Sequence, residues 1–371
     1  MKKINVIAVM SAVLLATTSC SKKEESTLEQ LSNLKAVAFA QVPDEVINSE
    51  TLTQQKGQKV VRQTVKRQKV LHPIELIEPS DLEVIYPGSV LQGGAFMEGE
   101  YSPVTIKNPQ EITLSATLLG QGLPVTKKSL PIPSQARQSV NDLLNGNRKN
   151  IDYDNTPSHI SYISNEVSTV ESFNKTFGIH AKASVYGGLV TMKFGYTYSK
   201  LEANNRKYVL IKVRQLFYNV TVDPKPIEEW GELLNVGEYE PVYISSVDYG
   251  RVAHLLIETE DSLDEISKTV EAGVGVNFTK VGGSIDVSAA EKLTKLFSQK
   301  KIKILISGGP LSRAKNVYNL KTFREFLFNP EADELVKSAT PIGYKVRTLK
   351  DNREVEVRVP YVEDRIVIGD N

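Results

Sequence analysis

The chain has 371 residues, a formal net charge of +1 and 40% hydrophobic residues, which suits two or three globular domains with ordinary cores. Charge this evenly balanced leaves no electrostatic footprint for nucleic acid, which is therefore not expected as a partner.

The N-terminus carries Met1-Lys2-Lys3, the apolar run Ile4 to Ala16, and Thr17-Thr18-Ser19 before Cys20. A basic start, a short apolar stretch and small residues before a cut describe an export signal over residues 1–19, not a spanning helix. Cys20 is the one cysteine, and its thiol is the expected acceptor of a lipoprotein anchor. The expected location is that of an exported bacterial lipoprotein at the outer membrane or cell surface, open to release by proteolysis. Residues 20–80 read as a lipidated tether and linker with little regular structure. Within them Ser21 to Ser26 is small and charged, and Gln54 to Val70 is basic and polar, a solvated linker or a protease-sensitive activation segment.

Order is expected from about Asp81. Leu82 to Tyr86 reads as a strand ending in the Pro87-Gly88 turn. Pro133 to Leu144 reads as a helix, with Ser134 as N-cap, Val140, Leu143 and Leu144 on its apolar side, and Gly146 as its stop. Tyr208 to Asp223 is a long strand, and Pro241 to Glu258 a pair of strands around Asp248-Tyr249-Gly250.

Two segments satisfy both the strand and the helix period. In the first, Phe173, Phe177, Ile179 and Val185 fall on odd positions. Beyond Gly187-Gly188, Val190, Met192, Phe194, Tyr196 and Tyr198 fall on even ones. A parity change across a Gly-rich link keeps one apolar face continuous through a hairpin. In the second, Val274, Val276 and Phe278 precede Gly282-Gly283, and Ile285 and Val287 follow with changed parity. Yet Leu263, Ile266 and Val270, and likewise Ala289, Leu293 and Leu296, lie at helical spacing. Periodicity alone leaves ordinary hairpins or helices in a mixed domain open.

Enzymatic chemistry has no foothold. His72, His159, His180 and His254 are scattered without metal-ligand spacing, and there is no G-x-S-x-G, P-loop or cysteine nucleophile. No cofactor or metal is expected. Gly308-Gly309-Pro310 lacks the Lys and Ser/Thr of a phosphate loop and reads instead as a hinge-like turn releasing an edge strand.

Six stretches carry a resemblance: EVIYPGSVL (83–91), VNDLL (140–144), RQLFYNVTVD (214–223), PVYISSVDYGR (241–251), ILISGG (304–309) and PIGYKVRTLKDN (341–352). In order and approximate spacing the chain resembles the cholesterol-dependent, or thiol-activated, cytolysins of the perforin-like MACPF/CDC superfamily. The most specific stretch supplies Tyr243, Tyr249, Gly250 and Arg251. The resemblance implies an α+β fold: a bent central antiparallel sheet, two helical clusters beside it, and an elongated β domain. It divides the chain into first- and second-domain segments (81–163), a first transmembrane-hairpin segment (164–204), the central-sheet core (205–259), a second hairpin segment (260–299), a continuation of the core (300–338) and the end of the elongated domain (339–371). It implies that both clusters refold on a target membrane into amphipathic hairpins, which rings of subunits join into a β-barrel pore. Val190 to Tyr198 matches a tilted transmembrane strand of roughly 9 to 11 residues, with Tyr196 and Tyr198 suited to an interfacial girdle.

The departures from the family also carry expectations. The terminal β-sandwich, with its Trp-rich loop, thiol and cholesterol-recognising pair, would follow Tyr361-Val362-Glu363; Trp230 and Cys20 lie elsewhere. Direct cholesterol binding is therefore not expected. Ile302 stands where relatives often place an aromatic used between subunits. The chain is similar to the short member of two-component cytolysin-like proteins, so the expected partners are further copies of itself or a longer relative, together with the target membrane. The alternative is a non-lytic surface lipoprotein that uses the same scaffold for binding or colonisation.

Overall fold

The computed structural model describes residues 27–55, 58–75, 79–167, 180, 207–277, 280–281, 285–328 and 331–370. Two long strands form its spine. Strand β9 (Lys207–Val222) and strand β11 (Val242–Thr259) pair antiparallel along nearly their whole length, from Thr259 opposite Lys207 to Ser246 opposite Thr221. Nearly every residue of β11 is buried, Val242, Ile244 and Val247 as well as Tyr243 and Tyr249. A strand buried at both parities is covered on both faces, and this is why the sequence there shows no strict alternation of apolar and polar residues.

Different neighbours flank the two ends of this spine. At the lower end β15 (Thr340–Thr348) and β4 (Val90–Leu91) pair with β11, and β3 (Ile74–Glu75) extends β15. On the other side β6 (Ile112–Ala116) pairs with β9, followed by β7 (Thr126–Ser129). At the upper end β14 (Ile302–Ser307) takes the β11 edge and β8 (His159–Glu166) the β9 edge. Short pairs elsewhere join β5 (Thr105–Lys107) to β10 (Glu232–Leu234), and β12 (Val276–Asn277) to β13 (Lys280–Val281). The lower core gathers Leu31, Val37, Phe96, Phe217, Ile244 and Trp230, whose ring lies 5.1 Å from that of Tyr243.

A second sheet corrects the expectation of a tether over residues 20–80. Strands β1 (Glu45–Gln55), β2 (Gln58–Val70) and β16 (Arg358–Asp370) form a three-stranded antiparallel sheet with β2 in the middle. Every described residue from Glu45 to Thr53 is exposed, and Val65 is among the few buried side chains of this sheet. Both faces meet water, so no apolar alternation marks these strands. One of β2's two pairing partners is a strand some 300 positions away, and the Thr64 hydroxyl adds a side-chain bond to the Asp364 carboxylate at 2.7 Å. The basic stretch taken for a linker is thus the middle strand of that sheet.

Three smaller corrections follow. Leu82 lies in a 3-10 turn (Pro79–Glu83), not a strand, with Ile85 dropped into the core behind it. The expected helix runs Pro133–Asn145, with Ile132 as N-cap and Pro133 in the first turn, where its missing N–H costs nothing. The expected pair of strands at 241–258 is a single strand. Its register shifts between Tyr249 and Gly250, where a Cβ on Gly250 would fall 2.0 Å from the Gln215 carbonyl oxygen. Glycine there permits a bulge, so the chain bends without ending the strand.

Candidate functional site

The upper end of the spine carries a pair of amphipathic helices, Leu263–Val274 and Val287–Ser298. The first starts on a capping box. The Ser262 hydroxyl accepts from the Glu265 N–H at 3.3 Å, and the Glu265 carboxylate accepts from the Ser262 N–H at 2.9 Å. It stops at Gly275, left-handed at φ 79°, whose N–H reaches the Glu271 carbonyl. The second starts on Asp286, whose carboxylate accepts from the Ala289 N–H at 2.9 Å. The helices approach closely at Gly273, where a Cβ would sit 2.8 Å from a Leu293 methyl.

Ile266, Val270, Val274 and Leu293 turn inward onto Val209, Ile211, Val213, Ala253, Leu255 and Ile257 of β9 and β11. Polar ties around this core are few. Lys292 pairs with Asp261 at 2.7 Å, Arg324 donates to the Gly273 carbonyl at 3.2 Å, and the Ser267 and Ser164 hydroxyls meet at 2.8 Å. Between the helices the backbone already runs as an antiparallel pair, Val276 opposite Val281 and Asn277 opposite Lys280. Just beyond it Ile285 is 45% exposed and Val287 70% exposed. Two apolar side chains of one parity thus face water at the mouth of the second helix.

On the opposite face of the same strands lie buried charges. Lys212, 1% exposed, pairs with Glu75 at 2.7 Å, and Arg214 pairs with Asp248 at 2.6 Å. His254 stands opposite Lys212 in the register. Burial, with Lys212 beside it, holds its imidazole well below its ordinary pKa.

Gly308 and Gly309 leave the edge strand β14 with φ of 77° and 84°, a region glycine enters without strain. They also lie against β11: a Cβ on Gly308 would be 2.4 Å from the Gly250 carbonyl oxygen, and one on Gly309 2.8 Å from the Phe326 ring. Arg251, 2% exposed, fixes this corner. Its guanidinium donates to Gln215 Oε1 at 3.0 and 2.8 Å, to the Leu327 carbonyl at 2.7 Å and to the Phe326 carbonyl, and lies 4.6 Å from the Phe326 ring centroid. Burial, then the nearby Arg313, lowers its pKa to about 10, so it stays charged at neutral pH. Arg251 therefore pins the Leu320–Phe328 helix over the glycine turn.

Of the residues singled out from sequence, the structure brings together Gly250, Arg251, Gly308 and Gly309. Tyr249 stacks on Tyr218 at 5.0 Å, and Tyr243 lies in the lower core. Val274 ends the first helix and Val287 begins the second, so the described parts of this segment are helical, apart from the short β12–β13 pair. Phe278, Cys20 and all of Phe173, Phe177, Ile179, Val185, Val190, Met192, Phe194, Tyr196 and Tyr198 lie outside the described residues. Sequence reasoning missed Gln215 and the Ser164–Ser267 contact; the capping box, S-x-x-E at 262–265, was there to be read. Among the described residues no group of His, Cys, Asp and Glu could hold a metal ion, and no helix is long and apolar enough to cross a membrane.

Comparison with known proteins gives one consistent result. A family model described as thiol-activated cytolysin matches residues 27–366. Tetanolysin of Clostridium tetani is 22% identical over 296 residues, covering 75% of this chain and 53% of its own length. Perfringolysin O of Clostridium perfringens is 22% identical over 370 residues, covering 93% and 70%. The chain thus spans about half the length of tetanolysin. In fold it is similar to pneumolysin (TM-score 0.61, 19% identity, 93% of this chain and 73% of that one) and to suilysin from Streptococcus suis (TM-score 0.60, 19% identity, 92% and 76%).

Proposed function

The chain belongs to the thiol-activated cytolysin family, a family of cytolysins rather than enzymes, and from that premise we propose that it is a pore-forming component. In this proposal the helix pair of residues 260–299 leaves the sheet and re-forms as an amphipathic hairpin in a ring of subunits. The observation that carries it is the link between the helices, already an antiparallel pair at Val276–Asn277 and Lys280–Val281 and followed by exposed apolar residues of one parity. Extended from that start, Ile285, Val287, Ala289 and Leu293 fall on one face, interrupted by Glu291, and Asp286, Ser288, Lys292 and Thr294 fall on the other with Ala290. That pattern suits a barrel wall with lipid on one side and water on the other. Closure into a ring supplies the partners that every backbone N–H and C=O needs within lipid. The outer strands β8 and β14 of the upper sheet are the edges at which neighbouring subunits would join, with Gly308-Gly309 as the hinge that frees β14. Residues 164–204, the first hairpin segment, refold likewise in the same proposal, and anchoring through Cys20 is its lipoprotein part.

The finer proposal is that pore assembly uses a longer relative for membrane recognition. The one tryptophan, Trp230, is 1% exposed in the lower core, so it does not serve as an aromatic anchor dipping into lipid. The charge balance supplies no attraction to anionic headgroups either, and direct cholesterol binding is not part of the proposal. Liposome dye release tests both levels. The 371-residue chain, processed at Cys20, should release little dye alone and release it in proportion to its concentration once a full-length relative is added. Release by this chain alone would refute the need for a partner. No release, with the relative bound and this chain recruited, would refute the pore and leave a non-lytic binding scaffold.

A further inference from the structure

Beside the bend of β11 lies a cavity of about 540 Å³, within the range that holds a drug-sized molecule. One wall is the stacked pair Tyr218 and Tyr249, with rings 5.0 Å apart and 10° from parallel. Leu82, Ile85, Val140 and Leu144 supply apolar surface, and Arg137, Asn141, Lys337 and the exposed Glu83 stand among the polar lining. The cations differ in how they are compensated. Lys337 pairs with Asp333 at 2.9 Å. Arg137 donates only to the neutral carbonyls of Leu82 (2.7 Å) and Glu83 (3.3 Å), and no carboxylate among the described residues forms an ion pair with it. Those two bonds hold the exposed guanidinium at the cavity, with no ion-pair partner among the described residues. Burial raises the pKa of Tyr218 and Tyr249, so both phenols are protonated donors at neutral pH. Their hydroxyls have no hydrogen-bond acceptor among the described residues.

A guanidinium with no ion-pair partner among the described residues, two phenols and apolar walls point to one ligand chemistry, in which the guanidinium must outweigh the Glu83 carboxylate of the same lining. We propose that this cavity binds a small organic anion with an apolar ring body, its acid group on Arg137 and its rings between the Tyr218–Tyr249 pair and the Val140–Leu144 side of the helix. A carboxylate or sulfonate oxygen matches the guanidinium fork, and the phenols can donate to any remaining acceptor. The site belongs to the soluble fold and needs no membrane, so its test is independent of pore formation.

The probe is 8-anilinonaphthalene-1-sulfonate, an aromatic sulfonate, titrated into the processed full chain and followed by its fluorescence. Saturable binding at one dye per chain is expected. Arg137→Gln should weaken it about tenfold or more, the scale of one lost charge-assisted hydrogen bond. Asn141→Trp, at an exposed position on the cavity lining, should block it while leaving the circular dichroism spectrum unchanged. Because Arg137→Gln also loses two bonds to the backbone, Asn141→Trp decides the matter if that variant unfolds. Ile368→Ser, on the exposed face of the three-stranded sheet, should leave binding unchanged. Dye binding that survives Asn141→Trp, or is lost in Ile368→Ser, would place the dye on another apolar surface and overturn the proposal. Absence of saturable binding would overturn it as well.

Discussion

The two ends of β9 and β11 are built from the same pair of strands and held in different ways. At the lower end, flanking strands on both sides and a core around Trp230, Phe96 and Ile244 cover the spine. At the upper end one face is covered by two short helices whose N-termini are closed by side-chain caps, together with Leu320 and Phe323 of the helix that Arg251 holds, and the ties around them include Ser267–Ser164 and Lys292–Asp261. The lower end is committed by long-range pairing, whereas the upper cover consists of local helices whose release, as proposed, would leave β9 paired with β11. Low-stability units of this kind are the ones from which moving elements are drawn.

The largest effect should come from tying the upper cover down. Ser164 on β8 and Ser267 on the first helix approach to 2.8 Å, near enough for a disulfide with little backbone movement. The Ser164→Cys/Ser267→Cys variant, made in a Cys20→Ser background and assayed with a full-length relative, should lose all dye release when oxidised and regain it with dithiothreitol. Equal activity in both redox states, with the disulfide verified by mass, would show that the helix stays on the sheet. An intermediate effect is expected at the hinge. Gly308→Ala places a Cβ against the Gly250 carbonyl at positive φ, which should cost about 1–3 kcal/mol; a denaturant midpoint equal to wild type would remove the close approach argued for that corner.

The smallest effect concerns pH. His254 is buried, and its folded pKa lies below the unfolded value, so the unfolded chain holds the proton more tightly. Stability is therefore intact above about pH 6.5 and is lost as pH falls below it. Melting temperature should drop between pH 7.5 and 5.5, about 2 °C further in wild type than in His254→Asn. Parallel curves would mean that another group sets the acid limit.

What was legible in the sequence follows the same division. Strand β9 was readable almost to its ends, because both of its faces are buried and most of its residues are apolar or β-branched, Lys212 and Arg214 being paired exceptions. The family stretches also lie mainly in this committed core. The three-stranded sheet was not readable, since strands wet on both faces, such as Glu45–Gln55, carry no period-two signal. The bulge at Gly250 resembled a break because only the facing Gln215 carbonyl reveals why glycine is there. Arg251 stood out within a motif, yet its partners Gln215, Phe326 and Leu327 lie 36, 75 and 76 residues away. In 260–299 the ambiguity between helix and strand was itself informative: the described residues are mainly helical, and the strand pattern remains written over them.

The most direct test of that dual pattern is a scan of single cysteines from Ile285 to Thr294 in a Cys20→Ser background, each labelled with a polarity-sensitive dye. In the soluble chain, emission should follow the three-to-four spacing of the helix, with Leu293 buried and Val287 exposed. On liposomes with a full-length relative, the account predicts strict alternation, with Ile285, Val287, Ala289, Glu291 and Leu293 reporting lipid and their even-numbered neighbours water. Helical spacing that persists in the assembled state would contradict it.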